Sequence, residues 1–142
     1  YYCAEKLGVK LIVIDSLMKC GINEDDLNKQ KAFANKLSVA ARDLGIHLFL
    51  VAHSRKTANE NDNASKFDVA GSANLTNLVD NVFSIHRNKA REEEVLNGSL
   101  DTELMNQPPC SVYLLKQRHG RGIETRWGFG FKPETFSYTE TW

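Results

Sequence analysis

The sequence predicts an α/β fold: a mostly parallel sheet with flanking helices and a C-terminal antiparallel hairpin. Three observations lead there. Two apolar runs, Leu11-Ile12-Val13-Ile14 and Leu48-Phe49-Leu50-Val51-Ala52, are continuous rather than alternating, as strands covered on both faces of a parallel sheet are. Between them, Phe33, Leu37, Ala40, Ala41 and Leu44 recur at helical spacing, which makes a βαβ unit with a right-handed crossover. Near the C-terminus Ile123, Thr125, Trp127, Phe129 and Phe131 alternate with polar or small residues, the pattern of a hairpin with one buried face.

Each element has a local chemical reason. Residues 1–8 read as the end of a helix closed by Gly8, which tolerates a left-handed cap. Residues 10–15 form the first strand, and the polar stretch Gly21-Ile22-Asn23-Glu24-Asp25-Asp26 is a loop. The helix through Phe33 and Leu44 closes at Gly45, and residues 46–52 form the second strand. Residues 54–70 are almost devoid of apolar side chains before Phe67 and read as a loop. Ser72 suits the N-cap of a short helix through Leu75, Leu78 and Val79. Val82-Phe83-Ser84-Ile85-His86 is a third strand, residues 88–109 a charged, loose excursion ending at two prolines, and residues 110–116 a fourth strand. His119-Gly120-Arg121-Gly122 turns the chain into the hairpin.

At 142 residues the chain is one domain's worth or less. Its 42% apolar content supports a packed core. A formal net charge of zero, from 18 basic and 18 acidic residues, excludes a globally basic nucleic-acid coat but leaves local patches open. Cys3, Cys20 and Cys110 are odd in number and far apart, so neither a zinc site nor a disulfide framework is expected, and a reducing compartment is. No transmembrane run or signal peptide is visible. The chain opens without Met on what reads as a helix end, and a fragment is expected.

Both apolar strands stop at a polar residue, Asp15 and His53. Ligands of parallel sheets sit beyond the carboxyl ends of the strands. An acid there suits a hydrated magnesium ion, and a histidine there suits a phosphate. Asp15 equally suits a turn, and His53 a structural role. Lys116 and Arg118 lie where a strand enters the hairpin; they suit either a solvated turn or cations aimed at a γ-phosphate. Arg55, Lys56 and Lys66 bracket the polar loop and suit a phosphate-tracking strip for single-stranded nucleic acid.

In order, Ile12-Val13-Ile14-Asp15-Ser16, Val51-Ala52-His53-Ser54-Arg55-Lys56, Asp68-Val69-Ala70-Gly71-Ser72-Ala73-Asn74-Leu75 and Lys116-Gln117-Arg118 resemble the later motifs of the DnaB-like hexameric replicative helicases, closest to the phage helicase-primase and Twinkle branch. The resemblance spans residues 1–142 as the C-terminal part of a RecA-like ATPase domain. It implies a RecA-like fold, ATP and Mg as ligands, a homo-hexameric ring around single-stranded DNA, and a cytoplasmic setting in a bacterial or phage-infected cell, with a primase domain possible upstream. Asp15 would act on Mg through water, His53 would sense the γ-phosphate, and Lys116 and Arg118 would reach a neighbour's ATP. Arg87 and Phe131 would sandwich the base. Arg55 and Lys56 would start one DNA-binding loop, joined by Lys66, while Gly71 and Ser72 would lie in a second. The sequence departs from the family in lacking a P-loop, with its strand, and the catalytic Glu beyond it, so this chain alone is not expected to hydrolyse ATP. Ala70 stands where relatives often carry Arg. The expected function is thus part of an ATP-dependent DNA helicase; the alternatives are a non-catalytic DNA- or partner-binding module and a RecA-like recombinase or regulatory ATPase.

Overall fold

A computed structural model describes residues 1–23, 25–53, 73–98, 101–121 and 125–140. The chain divides into two compact units. The first contains α1 (Tyr2–Glu5), β1 (Leu11–Asp15), a short 3-10 helix (Leu17–Cys20), α2 (Leu27–Leu44), β2 (His47–Val51) and α3 (Ala73–Leu78). The second contains β3 (Asn81–Arg87), α4 (Lys89–Asn97), α5 (Thr102–Met105), β4 (Cys110–Gln117), β5 (Thr125–Lys132) and β6 (Ser137–Glu140).

In the first unit β1 and β2 pair in parallel, with Leu11 opposite His47 and Asp15 opposite Val51. The helix between them begins at Asp26, whose carboxylate accepts from the Lys29 backbone N–H at 3.0 Å and meets the Lys29 ammonium at 2.8 Å. The Lys29 hydrogen bonds hold the Asp26 carboxyl below its ordinary range. At the other end Gly45 turns left-handed at φ 59°. The Ile46 N–H reaches back to the Ala41 carbonyl at 3.0 Å, and the Gly45 N–H to that of Arg42 at 3.3 Å, closing the helix by a Schellman arrangement. A side chain at Gly45 meets open space but a disfavoured backbone. Gly45→Ala is therefore expected to destabilise this unit by about 1 kcal/mol in denaturant unfolding.

The core of this unit is Leu17, Ala34 and Leu75, with Ile22, Phe33, Leu50 and Leu78 packed against it. Side chains alternate along β2, so Leu50 takes the covered face and Phe49 and Val51 the exposed one. Leu11 and Val13 continue the exposed face on β1.

The second unit is a four-stranded antiparallel meander in the order β3-β4-β5-β6. The register of β3 on β4 shifts between Val82 and Phe83: Phe83 faces Leu114, yet Val82 faces Lys116, so Leu115 is the extra residue of a bulge. Leu114 and Val82 are buried.

This architecture corrects the expected fold class. The described residues form a two-stranded parallel sheet and a separate four-stranded antiparallel sheet, not a RecA-like mostly parallel sheet with flanking helices. The single βαβ unit is parallel, but its pattern does not extend to the later strands. The C-terminal hairpin pairs antiparallel as expected, across a link from Gln117 to Thr125 too short for a parallel crossover; the departure is β3, which pairs antiparallel with β4 and not with the parallel strands. The excursion after β3 is also not irregular. Asn88 caps α4 by accepting from the Arg91 N–H at 3.1 Å, Gly98 ends it at φ 67°, and Asp101 caps α5 through the Glu103 and Leu104 N–H groups. These caps outweigh the low apolar content that makes the segment read as loose.

Candidate functional site

The parallel register sets the geometry at the carboxyl end of the first sheet. Asp15 is the last residue of β1 and stands opposite Val51; His53 comes two residues later. Exposure alternates from Phe49 through Val51 to His53, with Leu50 and Ala52 more covered. Asp15 belongs to the matching exposed set of β1. Both side chains are exposed at the carboxyl end of the parallel pair, Asp15 as the last residue of β1 and His53 past the last residue of β2, where the strand no longer sets its direction.

The next two residues fix Asp15 in place. Ser16 and Leu17 are both buried, Leu17 in the core cluster. The Ser16 carbonyl accepts from the Lys19 N–H at 3.0 Å and from the Cys20 thiol at 3.6 Å. The Asp15–Ser16 peptide bond is cis. An exposed carboxylate thus projects from a buried, hydrogen-bonded anchor. The sequence points to Asp15 but not to the burial of Ser16 behind it; the apolar Leu17 is the available signal.

Asp15 offers one exposed carboxylate to a metal ion. Among the described residues no three His, Cys, Asp or Glu side chains gather into a cage. Magnesium needs none: it keeps most of its water and binds one or two carboxylates together with substrate phosphates. Asp15 is the carboxylate available at this edge.

The remaining candidates fall elsewhere. Arg87, Lys116, Arg118 and Phe131 belong to the second unit. Lys116 is in β4 opposite Val82, whereas Arg118 lies past Gln117, the last residue of the strand. The alternation of a strand therefore does not extend to Arg118. Arg55, Lys56, Lys66, Gly71 and Ser72 lie outside the described residues.

Arg87 ends β3 and makes a bidentate pair with Glu92 of α4, Nε to Oε1 at 2.7 Å and Nη2 to Oε2 at 2.6 Å. That hydrogen bonding raises the Arg87 pKa and holds the Glu92 carboxyl below its ordinary range. Phe131, opposite Tyr138, is partly exposed. From sequence Glu92 is only part of a solvated acidic run; its partner is five residues away, a spacing that no helical pair rule would flag.

On the other side of the second sheet, Arg126 donates from Nε and Nη2 to the buried Ser111 hydroxyl at 3.3 and 3.1 Å and lies 5.3 Å from the centre of the Tyr113 ring. His86 is opposite Ser111. Burial lowers the His86 pKa, and the Arg126 charge lowers it further. A histidine depressed on folding contributes stability above its unfolded pKa, and that stability is lost as pH falls toward the folded value. Arg126→Ala is expected to raise the His86 pKa partway back, since burial remains; an NMR titration of the imidazole reads this directly.

No protein-family profile matches the chain, and no relative is found among curated proteins. Among the described residues no helix is long and apolar enough to cross a membrane.

Proposed function

We propose that this chain supplies the magnesium- and γ-phosphate-facing side of an ATP site in a DnaB-type DNA helicase working in the cytoplasm on single-stranded DNA. The observation that supports this reading is the Asp15–His53 edge: an exposed carboxylate and an exposed imidazole at the carboxyl end of a parallel strand pair. The four-stranded antiparallel sheet lends it no support.

In this reading Asp15 orients the water shell of the metal, which neutralises charge on the transferring phosphoryl group. His53 hydrogen-bonds the terminal phosphate and loses that partner after hydrolysis, so the segment after it responds to nucleotide state. Lys116 and Arg118 meet the ATP of a neighbouring copy in a hexameric ring, and Arg87 and Phe131 sandwich the nucleotide base. Arg55, Lys56, Lys66, Gly71 and Ser72 supply the strand contacts. The chain's sequence contains no phosphate-cradling P-loop. Turnover therefore belongs to the parent protein that supplies one.

The test is ATP turnover by that parent with and without single-stranded DNA. His53→Ala is expected to retain basal hydrolysis and lose most of the stimulation by DNA. Stimulation equal to that of the wild type would refute the sensor role. A parent with no turnover, yet with intact DNA binding, would establish instead a binding module.

A further inference from the structure

One face of the second sheet gathers cations and hydroxyls. Directly opposed residues share a face, as do residues two apart on a strand. His86, Ser111, Tyr113 and Arg126 therefore stand together, with Lys116 farther along β4 opposite Val82. The one acid of the four strands, Glu140, pairs with Phe129 and lies on the other face. Among the described residues Arg126 has no carboxylate partner; its polar contact is the Ser111 hydroxyl.

A guanidinium carries five N–H donors in one fixed plane. The Ser111 hydroxyl takes the Nε–H and one Nη2–H of Arg126, at 3.3 and 3.1 Å. What remains is the Nη1–Nη2 edge, the side of the fork that binds an oxyanion through two parallel hydrogen bonds. Ser111 is 2% exposed, and the Tyr113 ring lies 5.3 Å from the guanidinium carbon. The plane of the cation is thus held by a buried hydroxyl and by a ring, while Arg126 as a whole is exposed and open to a ligand. Burial first, and then the Arg126 charge, lowers the His86 pKa. A cation that presses on a neighbouring base, with no acid on its face to offset it, is arranged for an anion.

We propose that Arg126 anchors a site for a small oxyanion of the phosphate class, held on its Nη1–Nη2 edge, with Ser111 as the positioning residue and His86 as a second charge when protonated. The site is separate from the Asp15–His53 edge, which belongs to the first unit, and does not depend on the ATP-site reading. A compact anion suits it better than a strand. Lys132, the next cation on this face of β5, is six residues on, about 20 Å away. That is too far to meet a neighbouring phosphate, and a strand needs cations along its length. An anion at Arg126 offsets its charge and so raises the His86 pKa; by reciprocity, acid that protonates His86 tightens the anion. The titratable and charged groups on the His86 face are Tyr113 and Lys116 of β4 and Arg126 of β5; Arg87, held by Glu92, lies on the other face.

The test is an NMR pH titration of the histidine side chains in the 142-residue chain, in sodium sulfate against sodium chloride of equal ionic strength. Sulfate is a tetrahedral oxyanion whose charge is constant where histidine titrates. It is expected to raise the His86 pKa and to leave His47, in the first unit, unmoved. Inorganic phosphate is expected to act likewise, and a single-stranded oligothymidylate is not. Arg126→Lys keeps the charge and loses the fork, so sulfate affinity should fall about tenfold; Arg126 is exposed, and the variant should fold as the wild type does. Ser111→Ala should also weaken sulfate, and Ser111→Thr, which restores the hydroxyl, should recover it. A merely structural Ser111 would lower the unfolding midpoint without changing the response of His86 to sulfate, and that result would remove its positioning role. Equal responses of His47 and His86 would mean an adventitious ion only. That outcome, undiminished sulfate affinity in Arg126→Lys, or a His86 response to the oligonucleotide but not to sulfate would each overturn the site.

Discussion

Arg118→Ala in the parent protein is expected to lower DNA-stimulated ATP turnover by about 10³-fold while leaving nucleotide binding largely intact. A cation that meets charge developing on the transferring phosphoryl group acts in the transition state, so its loss appears in kcat rather than in affinity. Arg118 lies just past the end of β4, where the strand no longer dictates its direction. If it acts across a subunit boundary, rings mixed from Arg118→Ala and Asp15→Ala chains should regain some turnover, because certain interfaces then hold both groups intact. Wild-type turnover in Arg118→Ala, or no recovery in rings shown by mass to be mixed, would return Lys116 and Arg118 to the role of a solvated hairpin entrance.

Asp15→Asn is the second large effect. The substitution keeps size and shape and removes the negative charge. Because Asp15 is exposed while Ser16 and Leu17 behind it are buried, the unfolding midpoint should hardly move; surface substitutions of this kind typically stay within about 0.5 kcal/mol. Turnover should fall by about 10²-fold or more, the scale lost when one preorganised group of a phosphoryl-transfer or oxyanion site is removed. Raising the magnesium concentration should recover part of it, since a weaker metal site fills by mass action. A lowered midpoint with a parallel loss of turnover would mark Asp15 as structural.

The readable and unreadable parts of this chain separate along a physical line. The order and helix of the β1–α2–β2 unit are legible because their signals are local: apolar runs, helical spacing, and glycine at the helix end; the continuous runs overstate burial, since Leu11, Val13, Phe49 and Val51 form an exposed face rather than one covered on both sides. Its parallel pairing is implied by the helix between the strands. Of the antiparallel sheet only the β4–β5 hairpin is legible, from alternation around a turn; extrapolating the parallel direction of the first unit to β3 gives the wrong sheet. Pairing partners are set by long-range contacts that no local pattern encodes. The helices α4 and α5 escape a sequence reading because their capping residues, Asn88 and Asp101, sit among charges that look like solvated loop. At the site, Asp15 and His53 are visible as polar ends of apolar runs. The Arg87–Glu92 pair and the Arg126–Ser111 contact are not, since each depends on how β3 meets α4 or how β5 registers on β4.

The bulge at Leu115 decides which face the end of β4 presents. Strict alternation would put Lys116 on the same face as Leu114; because Lys116 pairs with Val82, the neighbour of Phe83, it stands on the opposite face instead. Lys116 and Gln117 both stay paired to β3, so the re-aimed end is still held by the sheet.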